Sequence, residues 1–178
     1  MNSDFERILY DTETLRGRIA ELGRELTEVY RDKNPIVIGV LKGAFVFMAD
    51  LIRAIDAPCE VEFLGVSSYG SGTTTTGAVE ITRDLGKDIE DRHVIIVEDI
   101  LDSGVTLAYL KKYLANRSPA SIAICTLLDK PARRQADITP DYVGFTCPDE
   151  FIVGFGLDYA EKYRNLPFIA ILSREVYS

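Results

Sequence analysis

Twice along this chain a short, unbroken apolar run stops at a small turn and gives way directly to a helical pattern. IVIGV (Ile36 to Val40) leads through Leu41-Lys42-Gly43 into AFVFMADLIRAI (Ala44 to Ile55). HVIIV (His93 to Val97) leads through an acidic turn into a segment that carries Leu107, Leu110 and Leu114 inward. A run that is apolar at every position is a strand buried on both faces, and a sheet of such strands needs helices on each side. SIAICTLL (Ser121 to Leu128) reads as a third strand of this kind, and YVGF, FIVGF and FIAIL add shorter ones. From Asp11 to Arg31, Leu15, Ile19, Leu22, Leu26 and Val29 form one face of an amphipathic helix that Lys33-Asn34-Pro35 stops. The pattern predicts an α/β protein with a mainly parallel central sheet flanked by helices, whose ligands gather beyond the carboxyl ends of the strands.

Length and charge narrow the field. With 178 residues, 47% of them hydrophobic, the chain suits a single domain over residues 1–178. No run approaches the roughly 18 apolar residues that span a bilayer, and the start MNSDFERILYD lacks the basic and apolar regions of a leader. These features predict a soluble, cytoplasmic protein with no membrane partner. The three cysteines, Cys59, Cys125 and Cys147, are far apart and have only His93 as a possible nitrogen partner, which argues against disulfides and structural zinc. A formal net charge of -8 disfavours nucleic acid. A phosphate ligand would have to be small. It would need backbone N–H groups, one or two placed cations, or a divalent metal held by the surplus carboxylates.

The stretch VEDILDSGVT meets that description. Glu98 and Asp99 fall at a strand end, on opposite faces, where neither is buried cheaply without a cation. Asp102-Ser103-Gly104-Val105-Thr106 then enters a helix, whose first N–H groups are unpaired and whose dipole favours an anion. Gly104 lets the backbone approach closely, and Ser103 and Thr106 add hydroxyls. Asp102 would repel a phosphate unless its side chain turns toward another part of the ligand. The plainer reading is that Asp102 or Ser103 caps the helix and the other acids are solvated. The polar segment Ser67 to Gly77, between two strand-like arms, is either a hairpin tip or a binding loop.

Two adjacent acids followed by D-S-G-x-T closely resemble the phosphoribosyl-pyrophosphate (PRPP) signature of the type I phosphoribosyltransferases, in the form seen in hypoxanthine-guanine phosphoribosyltransferases. The resemblance covers most of the chain. Leu41-Lys42-Gly43 is similar to that family's pyrophosphate-binding turn, in which the peptide before the lysine is typically cis. VSSYGSG, with Ser68 and Tyr69, resembles the start of its mobile active-site loop. LLDKPARR sets Lys130 where the family's lysine hydrogen-bonds the purine 6-oxygen, with Arg134 at a second basic position. PDEFIVGFGLDYAEKYRNL resembles its base-binding and metal-binding segment: Phe151 for stacking, the Ile152 main chain for the base edge, Asp158 for a second magnesium, Arg164 for pyrophosphate.

What the resemblance implies is a type I phosphoribosyltransferase fold with a small hood formed by the chain ends. It implies a transferase of purine salvage that moves the 5-phosphoribosyl group from PRPP to hypoxanthine or guanine, giving IMP or GMP. Glu98 and Asp99 would hold the ribose hydroxyls directly or through Mg²⁺, and Asp102 would be the acid/base group. Family relatives form dimers or tetramers, so a homodimer or homotetramer is expected. Asp158 with Glu161 three residues later also fits a capping box at a helix start, Phe151 fits a core residue, and His93 fits a structural one. The rival functions are transfer to xanthine or another base, a regulator that only senses PRPP or nucleotide, and a phospho-receiver domain.

Overall fold

A computed structural model describes residues 3–68 and 79–178. In chain order the elements are β1 (Phe5–Tyr10), α1 (Thr12–Tyr30), β2 (Ile36–Leu41), α2 (Phe45–Ala54), β3 (Glu60–Ser68), β4 (Val79–Arg83) and β5 (His93–Leu101). They continue with α3 (Val105–Ala115), β6 (Ser121–Asp129), a 3-10 turn at Pro131–Arg133, β7 (Tyr142–Thr146), β8 (Ile152–Val153), β9 (Ile169–Leu172) and α4 (Arg174–Tyr177).

The main sheet has the order β4-β3-β2-β5-β6-β7. All its pairings are parallel except the hairpin-like β3·β4 edge. Side-chain alternation along the central strands explains the three layers. Val37, Ile95 and Val97 face α1 and α2, together with Leu22, Leu26, Phe47 and Leu51. Their neighbours Ile36, Ile38, Val94 and Ile96 face the opposite way, onto Leu107, Leu110 and Leu114 of α3. Both faces are dry, which is why these strands read as unbroken apolar runs. Truncating a fully buried ring such as Phe47 would cost about 3–5 kcal/mol.

β1, β9 and β8 form a separate three-stranded antiparallel sheet, built from the two ends of the chain, that serves as the hood. FIVGF and FIAIL therefore belong to this hood and not to the parallel sheet. Of FIVGF, only Ile152 and Val153 are a strand, because Gly154 turns the backbone to φ +101°, where a Cβ would stand 2.2 Å from the Phe168 carbonyl oxygen. β1 and α4 carry no periodicity long enough to read from sequence. In α1 the apolar face runs through Leu15, Ile19, Leu22 and Leu26 to Tyr30, while Val29 is exposed. Asp11 caps this helix by accepting the Thr14 N–H at 2.8 Å. His93 is structural as expected, with Nδ1 at 2.7 Å from the Ser121 hydroxyl.

Candidate active site

β2 has β3 on one side and β5 on the other, so the strand order changes direction between β2 and β5. A crevice opens beyond the carboxyl ends of strands at such a switch point. Gly39 pairs with Val97 across it, which sets Leu41-Lys42-Gly43 beside Glu98 and Asp99. The Leu41–Lys42 peptide is cis. A Cβ on Gly43 would stand 2.1 Å from Asp99 Oδ2, so only glycine lets the turn lie against that carboxylate.

β5 is longer than the apolar run suggested and carries Glu98 and Asp99 inside the sheet, Glu98 pairing with Thr126 of β6. Glu98 is buried, at 9% exposure, and Asp99 half-buried. Burial, then the neighbouring Asp99 charge, pushes the Glu98 carboxyl well above the ordinary range. Burial also raises Asp99, against hydrogen bonding to Glu98 and to backbone N–H and the pull of the Arg164 guanidinium. Two hard oxygen donors side by side, one of them out of water, suit a divalent cation such as Mg²⁺. No group of three or more His, Cys, Asp or Glu side chains that could hold a metal ion by itself occurs among the described residues, so a cation here would complete its shell with ligand and water oxygens.

Past β5 the chain turns at Asp102 and Ser103 into α3. The helix is capped by Gly104, at φ 80°, with no side-chain cap bond. Neither Asp102 nor Ser103 is therefore the N-cap residue; Ser103 Oγ only approaches the Val105 N–H at 3.4 Å. The first helical bond runs from Ala108 N to Gly104 O at 2.9 Å, which leaves the N–H groups of Val105, Thr106 and Leu107 outside the helical ladder. The turn is pinned from outside. Gln135 and Ala136 N–H groups donate to the Ser103 carbonyl at 2.8 and 3.0 Å, and Arg134 donates to the carbonyls of Asp102 at 3.1 Å and Ile138 at 2.9 Å. Arg134 also pairs with Asp129, so this basic residue braces the turn.

Two cavities meet at the turn. One of about 120 Å³ is lined by Glu98, Asp99, Gly104 and Thr106. The other, a cleft of about 1090 Å³, is lined by Ser103, Lys130, Phe151, Ile152, Leu157 and Asp158 among others. Ile100 and Asp102 line both. Asp102 is exposed and stands where they join. Lys130 Nζ donates to the Glu150 carbonyl at 2.8 Å, which ties the end of β6 to the hood. Phe151 lies just outside β8 and is 36% exposed, so it is not core; it stacks on Tyr177 at 4.8 Å and meets Tyr159 edge-on at 5.4 Å.

Beside the cleft, Asp158 does not start a helix. Its Oδ2 does accept the Glu161 N–H at 2.9 Å, but the chain forms a tight turn with positive φ at Ala160, Glu161 and Tyr163. Glu161 holds Lys42 at 3.2 Å and Arg164 at 3.7 Å, and Arg164 reaches Asp158 at 3.3 Å. Lys42, followed by Arg164, lowers the Glu161 carboxyl below its usual range.

The crevice and cleft thus bring together Gly43, Glu98, Asp99 and the 102–106 turn, and, through Asp102, Lys130, Phe151, Ile152 and Asp158. Lys42, Gly43, Val105 and Arg164 line neither cavity. Tyr69 lies outside the described residues; Ser68 is described only as backbone, paired with Val79. Sequence reading missed Tyr159, Tyr177 and the ion-pairing role of Glu161, because isolated tyrosines and a turn acid carry no signal until the fold juxtaposes them.

A mainly parallel sheet whose central switch point carries an acid pair and an anion-ready helix entry defines an α/β protein with a ligand crevice beyond the carboxyl ends of its strands. The chain belongs to the phosphoribosyl transferase family, whose domain matches residues 8–160. It is 52% identical to the hypoxanthine-guanine phosphoribosyltransferase of Bacillus subtilis over 177 residues, 99% of this chain and 98% of that protein. It is also 52% identical over 178 residues to the bifunctional protein TilS/HprT of Listeria monocytogenes, but spans only 28% of that protein's length. Among solved structures, a hypoxanthine phosphoribosyltransferase from Staphylococcus aureus superposes with a TM-score of 0.96 at 49% identity, covering 100% of this chain and 99% of that one. No helix among the described residues is long and apolar enough to cross a membrane.

Proposed function

We propose that this chain transfers the 5-phosphoribosyl group of PRPP to hypoxanthine or guanine, forming IMP or GMP and releasing pyrophosphate in purine salvage. The observation that carries the reading is the position of Asp102, whose residue lines both the small acid-walled cavity and the larger aromatic cleft. A phosphorylated sugar in the first and a purine in the second would meet at that carboxylate.

In this reading the N–H groups and hydroxyls of Ser103 to Thr106 take the 5-phosphate, and Glu98 and Asp99 attend to the ribose hydroxyls. Phe151 offers its ring to the purine, the Ile152 main chain meets the base edge, and Lys130 donates to the 6-oxo group. Asp102 exchanges a proton with a purine ring nitrogen as the imidazole nitrogen bonds to the anomeric carbon. Lys42, the Gly43 turn and Arg164 steady the charge that builds on the departing pyrophosphate. By donor type Glu98 and Asp99 would hold one Mg²⁺ and Asp158 a second, and these would supply charge neutralisation of the polyphosphate. Ser68 and Tyr69 belong to the segment assigned to shielding the reacting sugar from water. The protein is taken to work in the cytoplasm as a homodimer or homotetramer, which sedimentation would check.

The experiment is a steady-state assay with PRPP, Mg²⁺ and hypoxanthine, guanine or xanthine in turn. IMP or GMP formation supports the reading. Turnover of xanthine alone would move the substrate assignment, and no turnover with any base would leave a PRPP- or nucleotide-sensing role.

A further inference from the structure

Glu161 is a residue for which the reaction above has no use, yet it contacts both cations assigned to the leaving group. Its carboxylate lies 3.2 Å from Lys42 Nζ and 3.7 Å from Arg164. Lys42 and Arg164 come from opposite ends of the chain, one from the turn after β2 and the other from the segment before β9. Among the described residues Glu161 is the side chain that joins them. Arg164 is otherwise well anchored: one nitrogen donates to the Gly156 carbonyl at 2.7 Å, another reaches Asp158 at 3.3 Å, and its Nε is buried with no partner among the described residues. Lys42 and Glu161 are both 66% exposed, so their pair is the part of this group that can open freely.

The backbone under Glu161 suits such opening. The turn is fixed at its base by reciprocal hydrogen bonds between Tyr159 and Lys162, at 3.0 and 3.1 Å, and by the Glu161 N–H on Asp158 at 2.9 Å. The Glu161 side chain projects from this fixed frame into solvent, as do its neighbours Ala160 and Lys162. Charge bookkeeping gives the same picture. In the ion pairs of this group two cations, Lys42 and Arg164, face two carboxylates, Asp158 and Glu161, and Arg164 also pulls on a third, Asp99. An arriving pyrophosphate brings its own negative charge, and Asp158 is the acid assigned to metal. Glu161 is then the surplus anion.

We infer that Glu161 is a positioning residue that stands in for pyrophosphate: it holds Lys42 and Arg164 together while the site is empty and is displaced from Lys42 when the diphosphate arrives. This rests on the phosphoribosyl-transfer reading. By competing for the cations, Glu161 weakens pyrophosphate binding and speeds its release, while the purine cleft, lined by other residues, is unaffected.

The test is calorimetric titration of the full chain with pyrophosphate and Mg²⁺, alongside steady-state assays. Glu161→Gln, which keeps shape and removes charge, is expected to bind pyrophosphate about two- to fivefold more tightly, the range of an exposed ion pair. Its KM for purine should match the wild type. Glu161→Asp, which keeps the charge, should return affinity toward the wild-type value, and the gain from Glu161→Gln should shrink in a Lys42→Gln background. Equal or weaker pyrophosphate binding by Glu161→Gln, in a chain whose wild type turns over normally, overturns the stand-in role alone. A wild type that neither binds pyrophosphate nor turns over overturns the transferase reading and this inference with it.

Discussion

Gly43 and Asp99 are in contact across the gap between β2 and β5, so close that a methyl group on the glycine would lie 2.1 Å from Oδ2 of the acid. Asp99 is fixed from behind, accepting the Ile100 N–H at 2.7 Å, and its short side chain cannot retreat without changing where its charge points. Gly43→Ala should therefore displace the acid and not unfold the chain. Misplacement on the scale of an ångström lowers kcat/KM for PRPP by roughly a hundredfold, with a small fall in melting temperature. Steady-state kinetics with PRPP as the varied substrate checks this; an unchanged value would remove Asp99 from the site.

Asp102 projects from the turn without capping α3 or pairing with a cation among the described residues. Its carboxylate is therefore available to a ligand in either cavity. Asp102→Asn preserves shape and loses proton transfer. The expected outcome is a fall in kcat of about 10²–10⁴, with PRPP affinity in the absence of purine little changed. A variant that makes IMP at the wild-type rate would eliminate the acid/base role.

Sequence reading succeeded where one physical demand acts on consecutive residues. Val94, Ile95, Ile96 and Val97 are all fully buried, so the strand and its sandwich of helices were visible in HVIIV alone. The acid pair and the Asp102 to Thr106 turn were visible because they follow directly in the chain. Their neighbours across the crevice, Lys42 and Gly43, could be matched only through family resemblance, since nothing local says that Gly43 must clear Asp99. The hood was the least legible part. Its strands pair residues as distant as Phe5 and Leu172, and β8 has two residues, too few for a period-2 pattern to develop. The capping-box motif at Asp158 and Glu161 predicted the correct N–H to carboxylate bond but the wrong backbone, because positive φ at Ala160 and Glu161 stops a helix from forming above it.

Phe151 presents a 36% exposed ring to the cleft while Tyr177 stacks on it at 4.8 Å, 28° from parallel. A base stacked on an aromatic ring gains about 1–3 kcal/mol, or roughly five- to 150-fold in affinity. Phe151→Ala should raise the purine KM within that range and leave the KM for PRPP nearly unchanged. Tyr177→Ala should have the same sign and a smaller effect, because it removes the ring that Phe151 stacks on and so loosens Phe151. Initial rates at varied hypoxanthine separate the two. Equal effects on both substrates would place Phe151 in the scaffold and not in the purine contact.

Glu98 is expected to couple stability to pH and, in the proposed reading, to metal. Its carboxyl is raised in the folded chain by burial and by Asp99, so the neutral form is the one the fold tolerates. Below the ordinary carboxylate range Glu98 is protonated both folded and unfolded, and it costs the fold nothing. As pH rises from that range through the raised folded value, the unfolded chain ionises first and the ligand-free protein loses stability. A divalent cation between Glu98 and Asp99 compensates the charge only after both have ionised, so Mg²⁺ with PRPP should raise the melting temperature more at pH 8 than at pH 5. Glu98→Gln should flatten the ligand-free pH profile, stabilise the metal-free protein at neutral pH and diminish the Mg²⁺-dependent shift. Thermal melts of both proteins across that pH range, with and without Mg²⁺ and PRPP, decide it. A Mg²⁺-dependent shift that is equal at both pH values, or intact in Glu98→Gln, would mean that the acid pair does not hold the cation.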